Sequence, residues 1–344
     1  MRKLTNTLLE KNLIPDILIR YGIRSLLQKK LDEETRLLKQ LGAAQKLTLV
    51  NFLKASPIAV NTKEANQQHY EVPTEFFKRG MGRHMKYSSG LWEKTTDFDQ
   101  SEEDMLILTA QRAQLQDGQA VLELGCGWGS LSLFMAARFP NSQITGVSNS
   151  ATQKKYIETE ARKRRLNNLR IITADMNDFT INDTFDRIVS VEMFEHMRNY
   201  QKLLSKVSSF LKEDGKLFVH IFTHKDFAYL YKEQDESDWI ARYFFTGGIM
   251  PSDDLFAHFD DHLIIEQQWR VSGVNYQKTS EAWLANMDRH KKEIMPIIKD
   301  TYGDKEATKW WVYWRVFFMS CAELWGYQQG QQWMVSHYIF KKRS

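Results

Sequence analysis

The stretch QAVLELGCGWGS, residues 119–130, decides the fold. Its first half is a short apolar run, Val121, Leu122 and Leu124, of the length of a buried strand. Its second half places Gly125, Gly127 and Gly129 where that strand runs out. Glycine there lets the backbone turn sharply and lets a ligand come close to the chain. The residues that follow, SLSLFMAARF, carry a helical pattern. A strand, a glycine turn and a helix in that order open an α/β sheet.

Working outward, the same unit recurs. QITGV (143–147), LRIITA (169–174), FDRIVSV (185–191) and KLFVHIF (216–222) read as further strands, with helical stretches before or after them. This predicts a Rossmann-like, doubly wound parallel sheet. HLIIEQQWRV (262–271) adds a strand, and WMVSHYIFKKR (333–343) a final antiparallel one. The predicted organisation is a helical N-terminal cap and cofactor-covering segment over 1–92 and a cofactor-binding core over 93–223. An aromatic-rich helical lid follows over 224–330, with 262–271 returning to the core, and the final core strand lies in 331–344. In the cap, Ile17, Leu18, Ile23, Leu26, Leu27 and Leu31 fall near helical spacing, with Arg20, Arg24, Lys29 and Lys30 on the other faces. A helix packed on the main body is expected, with peripheral membrane contact as the alternative.

The bulk numbers exclude several classes. The 344 residues are 42% hydrophobic and 26% charged, the balance of an ordinary globular chain. A net charge of +4 is too small to argue for nucleic acid. The basic run Arg162-Lys163-Arg164-Arg165 follows a helical pattern and is expected to be a solvated helix end favoured by the helix dipole. Two cysteines, Cys126 and Cys321, leave no disulfide framework and no multi-cysteine metal site, and no metal is expected. The start, MRKLTNTLLEKN, has no apolar core of a signal peptide, and no apolar run nears the ~20 residues of a membrane span. A cytoplasmic protein is expected. Eight of the ten tryptophans lie from Trp239 onward, as a bulky core or as walls of a pocket for a flat or cationic ligand. Nothing here sets an oligomeric state.

The glycine turn does not suit a dinucleotide. That fingerprint wants glycine at its sixth position, where Ser130 stands, and an acid about 20 residues on. The second strand instead ends Ser148-Asn149-Ser150. An acid just before the glycines, here Glu123, resembles the S-adenosylmethionine-dependent methyltransferases.

Longer stretches sharpen that resemblance. HYEVP, MKYSS, LELGCGWGS, ITADM and FDRIVSVEMFEHM resemble the cyclopropane-fatty-acyl-phospholipid synthase superfamily. WIARYFFTGGIMPS, TSEAWL and WMVSHYIFKK are similar to its plant-type branch, the coclaurine N-methyltransferases. The resemblance covers nearly the whole chain and implies S-adenosylmethionine as cofactor. It places Tyr87 and Ser88 over the cofactor, and Gly125, Cys126, Gly127, Trp128 and Gly129 beside its methionine tail. Gln153 would reach the ribose, with Glu123, Ser148 and Asn149 nearby, and Asp175, Met176 and Asn177 would form the adenine-side turn. Ser150-Ala-Thr-Gln153 also reads as a helix-capping box, compatible with that role.

At the end of the fourth strand stand Glu192, Glu195 and His196. The resemblance carries them over as the acid and base that handle a substrate amine. The alternative is that Glu195 caps a helix from about 198 and His196 is simply buried. In the synthase branch a Glu-His-Tyr set holds bicarbonate. Glu195 and His220 stand at matching positions, but the tyrosine position is Phe317 here. Cys321 matches a cysteine of that branch, and without a basic neighbour it reads as a small buried hydrophobe. The function implied is N-methylation of a small amine, coclaurine-like or another aromatic amine. Two alternatives stay open: a lipid methyltransferase acting on unsaturated acyl chains, and a cofactor-binding protein without chemistry.

Overall fold

Apolar runs two residues out of phase with a flat surface would expose half their side chains, so alternate residues of each strand must go to opposite faces. Leu122, Ile188 and Leu217 are buried on one face, and Val121, Val189 and Phe218 on the other. Both faces are therefore covered, as a parallel sheet requires. A computed structural model gives the arrangement for residues 2–60, 72–231 and 239–343. Residues 69–71 of the HYEVP stretch lie outside the described residues.

The sheet has seven strands: β1 (Ala120–Leu124), β2 (Gln143–Ser148), β3 (Leu169–Thr173), β4 (Phe185–Val191), β5 (Leu211–His224), β8 (Leu263–Val271) and β9 (Trp333–Lys342). Their order is β3-β2-β1-β4-β5-β9-β8. β1 to β5 run parallel, and β9 runs antiparallel between β5 and β8. The last segment of the chain thus lies inside the sheet, with β8 outside it. A separate pair, β6 (Tyr229–Leu230) and β7 (Ile249–Met250), escaped the sequence reading because two residues carry no periodicity.

The sheet-covering helices are α5 (Phe98–Arg112), α6 (Ser130–Arg138), α7 (Ala151–Lys163) and α8 (Tyr200–Phe210). Asp97 caps α5 and Asn199 caps α8 through side-chain oxygens that accept from Gln100 N and Lys202 N. α7 ends in the basic run as expected, with Arg162 and Lys163 in its last turn.

N-terminal to the core stand α1 (Arg2–Glu10), α2 (Asp16–Leu41), α3 (Ala43–Ala55) and α4 (Thr74–Gly80). The segment expected as a lid holds α9 (Trp239–Tyr243), α10 (Gly273–Arg289), α11 (Lys291–Tyr302) and α12 (Ala307–Gly326). α2 is a packed cap: Arg20 pairs with Glu281 and Glu323, and Arg315 bridges Asp16 and Asp288. Its other side leaves Ile17, Leu18 and Tyr21 exposed. Among the described residues no helix is long and apolar enough to cross a membrane. The late tryptophans build core: Trp283, Trp311, Trp314, Trp325 and Trp333 are buried in one cluster, Trp314 against Phe76, Phe77 and Phe244. At about 1.5–3 kcal/mol per large apolar side chain removed from water, this cluster is a principal source of lid stability.

Candidate active site

The glycine turn sits between two side-by-side cavities at the C-terminal ends of β1, β2 and β4. One is lined by Ser148, Asn149, Asp175, Met176, Met193 and His196, the other by Lys86, Tyr87, Ser88, Glu123, Cys126 and Trp128. Gly125, Gly127, Gln153 and Glu192 line both. Gly127 has φ +51°, and a Cβ there would meet nothing within 4 Å, so its bare Cα faces open space. Gly125 also needs a positive φ, and a Cβ would run into Met193.

Three predicted positions stand off the cavity walls: Gly129, Asn177 and Glu195, which is buried behind them. Gly129 packs against Ile157 of α7, where a side chain would collide. Asn177 pairs both side-chain atoms with the backbone of Ala59 and so pins a neighbouring wall residue. The capping box is half made: Ser150 Oγ accepts from Gln153 N, but Gln153 Oε1 accepts from Ser148 OH instead of turning back.

The segment before α5 arrives by a device the sequence hid. Glu102 of α5 is buried and accepts from the backbone N–H groups of Gly82, His84 and Lys86. Burial raises its carboxyl to about 7. Gly90 N and Trp92 N then donate to Thr279 and Asn275 of α10. Between these anchors Lys86 is held wholly buried, its Nζ donating to Ser88 Oγ and Ser89 O. Desolvation lowers it to about 8, opposed by Glu192, Glu102 and Glu123. A lysine in the MKYSS run was its only local signal.

Glu192 ends β4 with φ +49°, a left-handed conformation rare for glutamate and a mark of a constrained site. Its Oε1 accepts from Ser89 N at 3.2 Å and pairs with His220 Nε2 at 3.2 Å, and its Oε2 accepts from Tyr276 OH at 2.5 Å. Burial pushes its carboxyl up to about 7, while Lys86, Tyr276 and Ser89 pull it down. Glu195 is also buried. Desolvation and the charge of Glu192 hold it well above the usual carboxylate range, and its Oε2 has no hydrogen-bond partner. Two adjacent acids so placed resist ionising together, and Lys86 and the donors around Glu192 make it the one that ionises first. Glu195 does not cap a helix: residues 194–196 form a short 3-10 turn, and Asn199 caps α8. His196 is half-buried, with its ring 4.8 Å from that of Phe245.

Known proteins carry the same pattern. Residues 59–331 match the family described as mycolic acid cyclopropane synthetase. The chain belongs to that family. Within it, the chain is 40% identical over 339 residues to (S)-coclaurine N-methyltransferase from Papaver somniferum, covering 97% of each. A crystal structure of coclaurine N-methyltransferase bound to N-methylheliamine and SAH superposes with a TM-score of 0.94 at 38% identity, covering 98% of this chain and 99% of that one. The cyclopropane-fatty-acyl-phospholipid synthase of Escherichia coli is 28% identical over 271 residues, 78% of this chain and 66% of that protein.

This member of the cyclopropane synthetase family is an S-adenosylmethionine-dependent N-methyltransferase. Its residues fit that cofactor. Gln153 Nε2 and Ser130 Oγ are buried cavity-wall atoms with no hydrogen-bond partner, and Gly127 leaves room for a ligand against the backbone. Lys206 of α8 donates to Met176 O and Asn177 O and fixes that turn, another contact the sequence did not announce. Tyr276 lies 84 positions from its partner Glu192, too far for any local motif to pair them.

Proposed function

We propose that the protein methylates the nitrogen of a small aromatic amine of the coclaurine kind, with Glu192, Glu195 and His196 as its acid–base set. The observation that carries this reading is Glu192, a buried carboxylate that meets both cavities and is held by three donors. When bound, S-adenosylmethionine supplies a methyl group on a sulfonium for direct displacement. The proposed cofactor set is Tyr87, Ser88, Glu123, Gly125 to Gly129, Ser148, Asn149, Gln153 and Asp175 to Asn177. Gly129 and Asn177 act in it by packing and by pinning Ala59.

An amine of pKa ~10 is protonated at neutral pH, and freeing its lone pair costs roughly 4 kcal/mol. The Glu192 anion attracts the ammonium, His196 takes its proton, and Glu195 stays neutral behind them, so that no second negative charge competes with Glu192. Tyr276, stacked on Trp325 at 4.6 Å and bonded to Glu192, and Phe245, against His196, put aromatic rings directly behind the two groups that would meet a cationic aromatic guest. Cap, core and lid close this site between them. The free thiols of Cys126 and Cys321 support a reducing, cytoplasmic setting. The test is a competition screen with labelled cofactor against amines, unsaturated lipids and RNA, with product masses recorded. Label on an amine supports the reading, and label on lipid or RNA alone ends it.

A further inference from the structure

Behind Glu192 lies a row of polar groups that no local motif announces. Across β4, β5, β9 and β8, Val191 is in register with His220, His220 with His337, and His337 with Trp269. The two histidines are wholly buried and bonded to each other, His337 Nε2 to His220 Nδ1 at 2.9 Å. His220 Nε2 goes on to Glu192 Oε1 at 3.2 Å. At the other end, His337 Nδ1 meets Arg112 Nη1 at 2.8 Å, and that guanidinium lies over the Trp269 ring at 5.0 Å.

Arginine only donates, and this one end fixes every proton in the row. His337 Nδ1 must accept, so its proton is on Nε2. That proton is given to His220 Nδ1, so the proton of His220 is on its Nε2 and points at Glu192. Both rings are neutral, since burial and the nearby cations hold each well below the usual histidine range. We propose that Arg112, His337 and His220 are positioning residues: an inward-oriented hydrogen-bond relay that holds Glu192 in place as an acceptor. The relay also closes one exit. His220 Nε2 already bears a proton, so the row cannot carry a substrate proton away through the sheet, and that proton leaves by His196. This inference rests on the reading that Glu192 meets the substrate amine.

The direct test is nitrogen NMR of the full-length protein labelled with [15N]histidine. The two rings are assigned by their loss in His220→Gln and His337→Gln. Both should stay neutral with the proton on Nε2 from about pH 6 to about pH 9. A proton on Nδ1 of either ring, or a charged ring, overturns the relay whatever the variants do. In turnover, Arg112→Met and His337→Phe should lower kcat about 10- to 100-fold, as removal of an orienting partner does around metal ligands. The dissociation constant for S-adenosylhomocysteine should not move, and Arg112→Lys, which keeps a charged donor, should recover most of the turnover. Undiminished kcat in folded Arg112→Met overturns the proposal. Glu192→Gln separates it from the reading beneath: full turnover there removes the role of Glu192 and leaves the ring tautomers untouched.

Discussion

At Gly127 the proposed cofactor site turns on a single hydrogen atom. Its φ of +51° disfavours a branched side chain, and its missing Cβ faces open space on the wall of both cavities. Gly127→Val should therefore abolish binding of S-adenosylhomocysteine in a folded protein, read by calorimetric titration, and unchanged affinity would move the cofactor elsewhere. His196 poses the complementary case, beside Phe245 on the wall of the cavity. His196→Ala should lower kcat by roughly 10²–10⁴-fold, the reach of a positioned acid–base group, with cofactor affinity kept. The defect should shrink near pH ~9–10, where more of an amine of pKa ~10 is already unprotonated. An equal loss at every pH would give His196 a placing role alone.

Between elements the site depends on ties that join distant parts of the chain. Glu102 gathers three backbone N–H groups of the segment before Lys86, and burial raises its carboxyl to about 7 from 4.5. The folded state thus binds that proton more tightly than the unfolded chain. Its stabilisation is full below about pH 4.5 and is lost as pH rises through about 7. Glu102→Gln does not titrate, but its amide nitrogen cannot accept from a backbone N–H as the second carboxyl oxygen does. It should start below the parent near pH ~5 and gain on it by at most about 3 kcal/mol as pH rises to ~8, in urea unfolding. A parent that gains on the variant as pH rises would contradict the sign. Such ties mark where sequence reading stops. The strands from β1 to β5, the glycine turn and Glu192 were legible because each is a contiguous pattern with a period or a motif. Glu102, Tyr276, Lys206 and the Arg112–His337–His220 row were not, because their partners lie tens to hundreds of positions away. The position of β9 between β5 and β8 was hidden for a like reason: alternation shows a strand and its faces, not its neighbours.

At the scale of the molecule, one family holds relatives named for two chemistries, and on the proposed reading the hydrogen bonds around Glu192 choose between them. The resemblance to the synthases would have Glu195, His220 and a tyrosine hold bicarbonate. In this chain both nitrogens of His220 are taken, one by His337 and one by Glu192. Glu195 is pushed toward its protonated form, and Phe317 brings a phenyl ring stacked on Phe244 at 4.4 Å, with no hydroxyl to donate. Each hydrogen bond to a charged group that goes unmade costs about 1.5–3 kcal/mol, so two missing donors cost bicarbonate several orders of magnitude in affinity. The same surroundings favour an ammonium: an anion at Glu192 and π faces worth about 0.5–2 kcal/mol each. Methylation of secondary or tertiary amines should therefore proceed without dependence on added bicarbonate. Unsaturated phospholipid vesicles, and the lipids of an expressing host, should gain no CH₂ by mass spectrometry. A mass gain of one CH₂ on unsaturated chains, enhanced by bicarbonate, would require His220 to leave its partners, and it would replace the amine acceptor with a lipid one.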